Sequence, residues 1–337
     1  MSGGAGGSPP RRERRPDRIA AREPVTDFGA LLFPNVAWPT LVDRCERAEE
    51  LGFRSLWIDD HGANPQAPRS NWFEAFTTLA GLANCTRHIL LGPLVSNVIL
   101  RHPAVLARQA ATVENMSGGR LQLGIGAGYA PTDHELVGTE PWSRDERAAR
   151  FAEAVELIDG LLRAEPVDFD GAYYRADGLR LRPAPLQRPR PPICIAAHDD
   201  SSLRLVARFG DIWSSFGGWG LSSRRLLDIT TRRSAALDEY CAESGRDPST
   251  IRRQLLAGNP ATTPDPIWSS VRAFDEWVAG WHQVSIDEIV LYFPPELLYE
   301  PDLINPAVTE HLRGLLFARR SGDQGATVDG QHGAADE

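Results

Sequence analysis

Hydrophobic and polar positions follow two periods along the central part of the chain. Short apolar runs, rich in β-branched and aromatic residues, alternate with longer segments in which apolar residues recur every three or four positions. This alternation is typical of βα units on a parallel sheet. It predicts eight strands, at residues 27–33, 55–59, 89–95, 121–125, 193–197, 211–214, 251–257 and 288–293.

Capping signals mark where several helices begin. Ser143 is followed three residues later by Glu146, and the apolar residues of 151–162 then lie on one helical face. Asp265-Pro266 and Asn305-Pro306 predict the starts of the seventh and eighth helices, because proline is favoured in the first turn after an N-cap.

Eight strands, each followed by a helix, predict an α/β fold with a single (β/α)8 TIM barrel, whose active site lies at the carboxyl ends of the strands. An open doubly wound sheet is the alternative. Residues 167–181, with a central Asp-Gly, predict a small β-hairpin insertion between helix 4 and strand 5. The composition of residues 1–24 and 320–337 predicts disordered tails, so residues 25–319 form the expected barrel domain.

The amino-acid composition limits the partners and the catalytic groups that the protein can have. The net charge of −9 and the pI near 5.5 exclude nucleic acid or an anionic membrane as the main partner. All 36 basic residues are arginine, which excludes a lysine Schiff base. The 4 cysteines lie far apart without a CxxC pair, so we expect no metal site of that kind and a reduced cytoplasmic location. No secretory signal or membrane span is expected from the apolar runs.

Three glycines at alternate positions, Gly124, Gly126 and Gly128, raise the question of a nucleotide-binding loop. A dinucleotide fingerprint needs its third glycine at the position that Tyr129 occupies, in the first βα turn of the fold. At the end of a fourth barrel strand, such glycines instead let a planar ligand approach the backbone. A flexible turn is the alternative.

Several segments, in their order and spacing, closely resemble the bacterial luciferase-like superfamily of flavin and deazaflavin oxidoreductases. The likeness runs from about Asp27 to Phe293. It rests on LGFRSLWIDDH at 51–61, on the block 88–129 from HILLGPLVSN to LGIGAGY, on DGAYYRADGLRL at 170–181 and on VARFGDIWSS at 206–215. The resemblance implies a barrel, often a homodimer, that binds FMN or the deazaflavin coenzyme F420 at its carboxyl mouth.

The resemblance also implies roles for individual residues. His61 serves the reacting centre, and Asp60 contacts the ring or orients the histidine. A non-proline cis peptide at Leu94-Val95 supports the flavin ring, and the remaining implied cofactor contacts are Asn97, Gly126, Ala127 and Gly128.

Ser201 and Ser202 begin a helix where the family binds its phosphate. Many deazaflavin members have Gly-Gly where this chain has His198-Asp199, and the acidic Asp199 and Asp200 crowd an anion unless His198 or Arg204 compensates. The alternative role of these serines is helix capping. Tyr129, His134, Glu135 and Trp219 are candidate walls of a substrate pocket, or cover the barrel rim.

The sequence therefore predicts a luciferase-like monooxygenase that uses reduced FMN, supplied by a flavin reductase, and oxygen on a small organic substrate. FMN is favoured because the Gly-Gly pair is missing. The alternatives are a hydride-transfer enzyme that uses coenzyme F420 and a non-catalytic flavin-binding subunit. A metal-dependent hydrolase is disfavoured, because Phe33, Pro34 and Asn35 supply no metal ligands after the first strand.

Overall fold

Parallel strands form an almost closed barrel in the computed structural model, which describes residues 27–65, 67–216, 218, 220–258, 266–295 and 304–326. The strands are β1 (Asp27–Leu32), β2 (Ser55–Ile58), β3 (Leu90–Pro93), β4 (Ser96–Asn97), β5 (Leu123–Gly126), β6 (Val167–Asp170), β7 (Arg175–Leu179), β8 (Ile193–Ala196), β9 (Ile212–Phe216), β10 (Arg252–Ala257) and β11 (Glu288–Tyr292). The TIM-barrel prediction is confirmed.

Helices pack around the sheet in the described residues. They are α1 (Trp38–Leu51), α2 (Ala75–Cys85), α3 (Pro103–Met116), α4 (Pro131–Val137), α5 (Arg144–Leu162), α6 (Asp200–Phe209), α7 (Ser223–Glu243), α8 (Val271–His282) and α9 (Pro306–Ala326). The long helices bury their apolar faces against the outer surface of the sheet.

Three helix starts that the capping residues predict can be compared with the structure. Ser143 caps α5 and Asn305 caps α9, as predicted. The predicted start of the seventh helix at Asp265-Pro266 is wrong: α8 begins at Val271, because the Ser270 hydroxyl accepts the hydrogen bond from the backbone N–H of Ala273. Asp265 itself lies outside the described residues, as do residues 1–24 of the expected N-terminal tail.

The third predicted strand is divided into two short strands, β3 and β4. These two strands form the two ends of the sheet, which meet to close the barrel. β3 pairs with β2, whereas β4 pairs with β5, and all neighbouring strands around the barrel are parallel. Leu91 and Leu121 bridge the gap between the two ends of the sheet. A Cβ atom on Gly124 would lie 2.0 Å from the carbonyl oxygen of Pro93, so only glycine permits this close approach.

The barrel interior changes character from its amino to its carboxyl end. At the amino end Glu288 accepts hydrogen bonds from Ser55 and from Gln254, and all three side chains are buried. Above this polar layer lies an apolar cluster, which ends in the half-buried side chains of Phe33, Val95 and Leu256. Its fully buried members are Leu31, Trp57, Leu94, Cys194, Ile212, Val290 and Tyr292.

β6 and β7 form a separate antiparallel hairpin between α5 and β8, as predicted. α9 continues to Ala326, past residue 319, where the C-terminal tail was expected to begin. Among the helices of the described residues, none combines the length and the apolar character needed to span a bilayer.

The contact between the broken strand and β5 predicts a large effect for a small substitution. Gly124→Ala places a methyl group against the backbone of Pro93 and should lower the free energy of unfolding by about 3 kcal/mol, the upper range for overpacking. Urea denaturation followed by tryptophan fluorescence measures this. The matched control is Gly280→Ala in α8, where a Cβ meets nothing within 4 Å. It should be neutral or stabilise by up to about 1 kcal/mol, and equal effects of the two substitutions would contradict the packing argument.

Candidate functional site

His61 lies at the barrel mouth, the end of the sheet at which the parallel strands have their carboxyl ends. Its Nδ1 atom is 3.0 Å from Oδ2 of Asp133, a fully buried carboxylate in α4. The same carboxylate accepts hydrogen bonds from the backbone N–H of Gly62 (2.7 Å) and from the side-chain amide of Asn97 (3.0 Å). Asp133 therefore joins the segments that follow β2 and β5 to β4.

The charges around His61 favour its protonated form. Burial disfavours the imidazolium, but the hydrogen bond with Asp133 and the negative charges of Asp59 and Asp133 outweigh it and raise the pKa of His61. Asp59 Oδ1 lies 3.7 Å from the second ring nitrogen, Nε2. Burial, together with repulsion from Asp60, raises the pKa of Asp59 to about 6. An imidazole with a raised pKa and a carboxyl group with a raised pKa thus lie side by side.

Asp60 has partners of its own. Its buried carboxylate accepts hydrogen bonds from the Ser96 hydroxyl and from the Arg101 guanidinium, whose Nη2 lies 3.2 Å from Oδ1. Arg101 also donates to Glu74. Arg101 therefore neutralises Asp60, and the carboxylate that hydrogen-bonds to the His61 ring is that of Asp133. A contact between Asp60 and the ring of the cofactor stays a prediction.

The peptide bond between Leu94 and Val95 is cis, at the position that the family resemblance implies. The Leu94 side chain is buried in the interior cluster, and its backbone N–H donates to the carbonyl of Ile58 (2.9 Å). Val95 is half-buried at the top of that cluster. This bulge presents an apolar surface at the mouth.

The glycines after β5 pack against the bulge. A Cβ on Gly126 would lie 2.7 Å from Val95 Cγ2, and one on Gly128, where φ is +76°, would lie 2.5 Å from Ile99. Protein atoms therefore fill the space that these glycines leave, which explains them without a ligand. Gly126 pairs with Asn97 in the sheet, so the half-buried Ala127 and its two glycine neighbours lie beside the His61 network. Their contact with the cofactor remains a prediction.

His198, Ser201 and Ser202 come together at the ends of β8 and β9. The Asp199 carboxylate accepts hydrogen bonds from the Ser202 backbone N–H (2.9 Å) and from both serine hydroxyls. The Asp199 backbone N–H donates in return to the Ser202 hydroxyl (3.2 Å), which completes a capping box. An anion at this helix start has to displace Asp199. His198 accepts a hydrogen bond from the backbone N–H of Phe216 (3.2 Å), and burial, with the nearby positive charge of Arg233, lowers its pKa to about 4.

Arg233 is a basic residue of this region that the sequence analysis did not single out. It extends from α7, and its guanidinium donates to the carbonyl oxygens of His198 and Phe216, both at 3.1 Å. Burial lowers its pKa, and it forms no ion pair within the described part of the chain. Arg204, the cation that the sequence offered, instead pairs with Glu243 and stacks over Tyr240 at 3.9 Å.

The residues predicted to line a substrate pocket differ in their exposure. Tyr129 is 61% exposed, and its ring contacts that of His61 edge-on, with 5.6 Å between centroids. His134 is buried against Trp142 and lies 3.2 Å from the Thr139 hydroxyl, so it stabilises the local structure of α4. Glu135 is exposed. Trp219 lies outside the described residues.

Comparison with known proteins finds relatives of similar sequence. A dehydrogenase of Mycobacterium tuberculosis (strain ATCC 25618 / H37Rv), the F420-dependent hydroxymycolic acid dehydrogenase, is 34% identical over 220 residues. The match covers 64% of this chain and 58% of that protein, so the chain matches less than two thirds of its relative's length.

Two solved structures show the same fold. An F420-dependent secondary alcohol dehydrogenase in complex with an F420-acetone adduct aligns with a TM-score of 0.69 and 19% identity over 84% of this chain and 99% of its own. The monooxygenase RslO1 from Streptomyces bottropensis aligns with a TM-score of 0.60 and 24% identity over 80% of this chain and 94% of its own.

Residues 25–284, which include β1 to α8, match the family described as luciferase-like monooxygenase. Because this match covers more than half of the sequence, the chain belongs to the luciferase-like monooxygenase family of flavin- and F420-dependent oxidoreductases.

Proposed function

We propose that this oxidoreductase uses coenzyme F420 to transfer hydride between the deazaflavin and a small, uncharged alcohol or carbonyl compound. The observation that carries the proposal is the His61–Asp133 pair at the barrel mouth. Oxidation of an alcohol releases a proton as well as a hydride, and an imidazole whose second nitrogen is available can accept that proton. The likeness to an F420-dependent dehydrogenase supports the deazaflavin over the FMN that the missing Gly-Gly pair favoured.

The mouth offers a surface that fits a planar ring. Phe33, Val95 and Leu256 are half-buried and cover the interior cluster beside His61, so a flat apolar face can lie on them. Coenzyme F420, when bound, accepts or donates the hydride at its deazaflavin ring. In this arrangement Val95, at the top of that cluster, would hold one face of the ring.

The residues expected to bind the phosphate of the cofactor fit it less well than the apolar surface fits the ring. Arg233, which forms no ion pair with any residue that the structure describes, places a guanidinium beside the ends of β8 and β9, and guanidinium groups bind phosphate well. Asp199 competes for the N–H groups at the start of α6. We infer that a bound phosphate contacts Arg233 and the Ser201 and Ser202 hydroxyls after the Asp199 side chain turns away.

His61 and Asp133 divide the proton chemistry between them. Asp133 accepts the hydrogen bond from Nδ1–H, which leaves Nε2 as the nitrogen that takes the substrate proton or returns it in the reverse direction. Asn97 and Gly62 hold the Asp133 carboxylate in place. The protein therefore supplies a positioned base, and the bound coenzyme supplies the redox step.

The charges at the mouth favour an uncharged substrate. The described residues that follow β1, β10 and β11, at positions 33–37, 258, 266–270, 293–295 and 304–305, contain no arginine or lysine. Asp59 adds a carboxylate next to His61. Phe33 contacts both Trp72 and Tyr292, with ring centroids 5.8 and 5.4 Å apart, and these aromatic rings suit an apolar molecule. A negatively charged substrate would meet repulsion on this side.

A monooxygenase that uses reduced FMN from a flavin reductase is the second candidate. The specific observation in its favour is the His198-Asp199 pair, which stands where many deazaflavin members have Gly-Gly. The fold likeness to RslO1 is compatible with it.

A binding experiment separates the two candidates. The protein is titrated separately with oxidised F420, oxidised FMN and, under anaerobic conditions, reduced FMN, and binding is followed by fluorescence and absorbance. We expect a micromolar Kd for F420 and at least about tenfold weaker binding of both forms of FMN. Tighter binding of reduced FMN would favour the monooxygenase, and no binding of any of the three would leave the proposal without its cofactor.

Removal of the imidazole tests the base. His61→Ala should leave the Kd for F420 within about twofold and lower the turnover of a secondary alcohol by at least about 100-fold, the usual scale for a lost acid or base. Turnover is read from the absorbance of oxidised F420. The matched control is His88→Ala, which removes an exposed imidazole ahead of β3 and should retain full turnover. Unchanged turnover in His61→Ala would remove His61 from the mechanism.

A further inference from the structure

Two carboxylates flank the His61 ring at its two nitrogens. Asp133 contacts Nδ1 at 3.0 Å, and Asp59 lies 3.7 Å from Nε2. The Asp133 side chain is fully buried, whereas those of His61 and Asp59 are 12% and 18% exposed. The imidazole is thus enclosed by negative charge on both sides, although hydride transfer requires a base on one side only.

The two carboxylates have different surroundings. Asp133 accepts two further hydrogen bonds, from Gly62 and Asn97, so its oxygens act as acceptors and Nδ1 of His61 is the donor toward them. The exchanging nitrogen is therefore Nε2, and it faces Asp59. Asp59 makes one ion pair among the described residues, and that pair is with His61.

Among the neighbouring titratable groups, His61 is the strongest charge partner of Asp59, while His61 itself interacts with both Asp133 and Asp59. Arg101 neutralises Asp60. Partial burial raises the pKa of Tyr129, after β5, and full burial raises that of Tyr292, at the end of β11. The negative charge of Asp59 raises the pKa of both phenols further. Both phenols therefore stay neutral. Asp59 itself has a pKa of about 6, mainly because it is buried.

We propose that Asp59 and His61 hold one exchangeable proton between them, so that Asp59 acts through His61 as a second proton-holding residue of the site. Its role in turnover rests on the proposed function. In alcohol oxidation the pair starts without this proton, with Asp59 ionised and Nε2 unprotonated. The C–H electron pair would leave as hydride to the oxidised deazaflavin, the O–H proton moves to Nε2 as the one proton that the pair then holds, and the C=O double bond forms. Asp59 then faces the new imidazolium, so the half-buried site gains no uncompensated charge. The reverse direction returns the same proton to the alcohol.

Histidine NMR tests the pair in the cofactor-free protein. Histidine labelled with ¹³C at Cε1 is incorporated, and the His61 signal is identified by its loss in His61→Gln. In Asp59→Asn we expect the midpoint of the His61 titration to fall, because the charge that stabilises the imidazolium at Nε2 is gone. Asp59→Glu should restore most of the shift. Asp170→Asn, an identical substitution at a carboxylate 84% exposed on the hairpin, is the matched control and should change nothing.

A pH profile of alcohol oxidation distinguishes proton holding from a merely structural role. With Asp59→Asn the acidic limb of the profile should move to lower pH, because an imidazole with a lower pKa is deprotonated at a lower pH. The plateau rate should fall about threefold to tenfold. A structural defect would lower the plateau and leave the limb in place.

Failure of the inference and failure of the proposed function give different results. If F420 does not bind, the proposed function fails, and the NMR titration still decides the pairing. If the His61 midpoint in Asp59→Asn equals that of the unmodified protein and of Asp170→Asn, the inference is overturned whatever the cofactor.

Discussion

The carboxylate of Asp133 is the interaction on which the geometry of the mouth depends. It is fully buried, and it is hydrogen-bonded to the backbone of Gly62, the amide of Asn97 and the ring of His61. Gly62 and His61 follow β2, Asn97 lies in β4 and Asp133 itself follows β5, so one side chain sets the relative positions of three parts of the barrel. A buried carboxylate with this many donors is costly to move. The imidazole is consequently held in one orientation before any ligand binds, which is the preorganisation that proton transfer requires.

The broken third strand positions the other half of the site. Because β3 and β4 are offset by the Leu94-Val95 bulge, Asn97 reaches Asp133, and Val95 lies at the top of the barrel interior. Gly124 permits this arrangement, since a side chain there would strike the carbonyl of Pro93. The glycines of residues 120–130 thus serve strand packing first. Any contact with a cofactor follows from the surface that this packing creates.

The sequence predicted the parts of the molecule that local chemistry determines. Strand and helix periods led to the barrel, Asn305-Pro306 marked the start of α9, and the resemblance located the cis bond. Asp133 escaped notice because α4 is a short helix in a loop, and sequence alone does not tell which of its side chains faces inward. Arg233 escaped because it acts 35 residues from His198 along the chain. Such contacts depend on tertiary packing.

The central claim is that the apolar surface at Leu94-Val95 would hold the deazaflavin ring of the cofactor beside His61. A crystal structure of the protein with oxidised F420 tests it most directly. The account predicts ring atoms within about 4 Å of Val95, in van der Waals contact, with Nε2 of His61 facing the space where a substrate oxygen would lie. A ring bound away from the bulge, or at the end of the barrel where Glu288 lies, would contradict it.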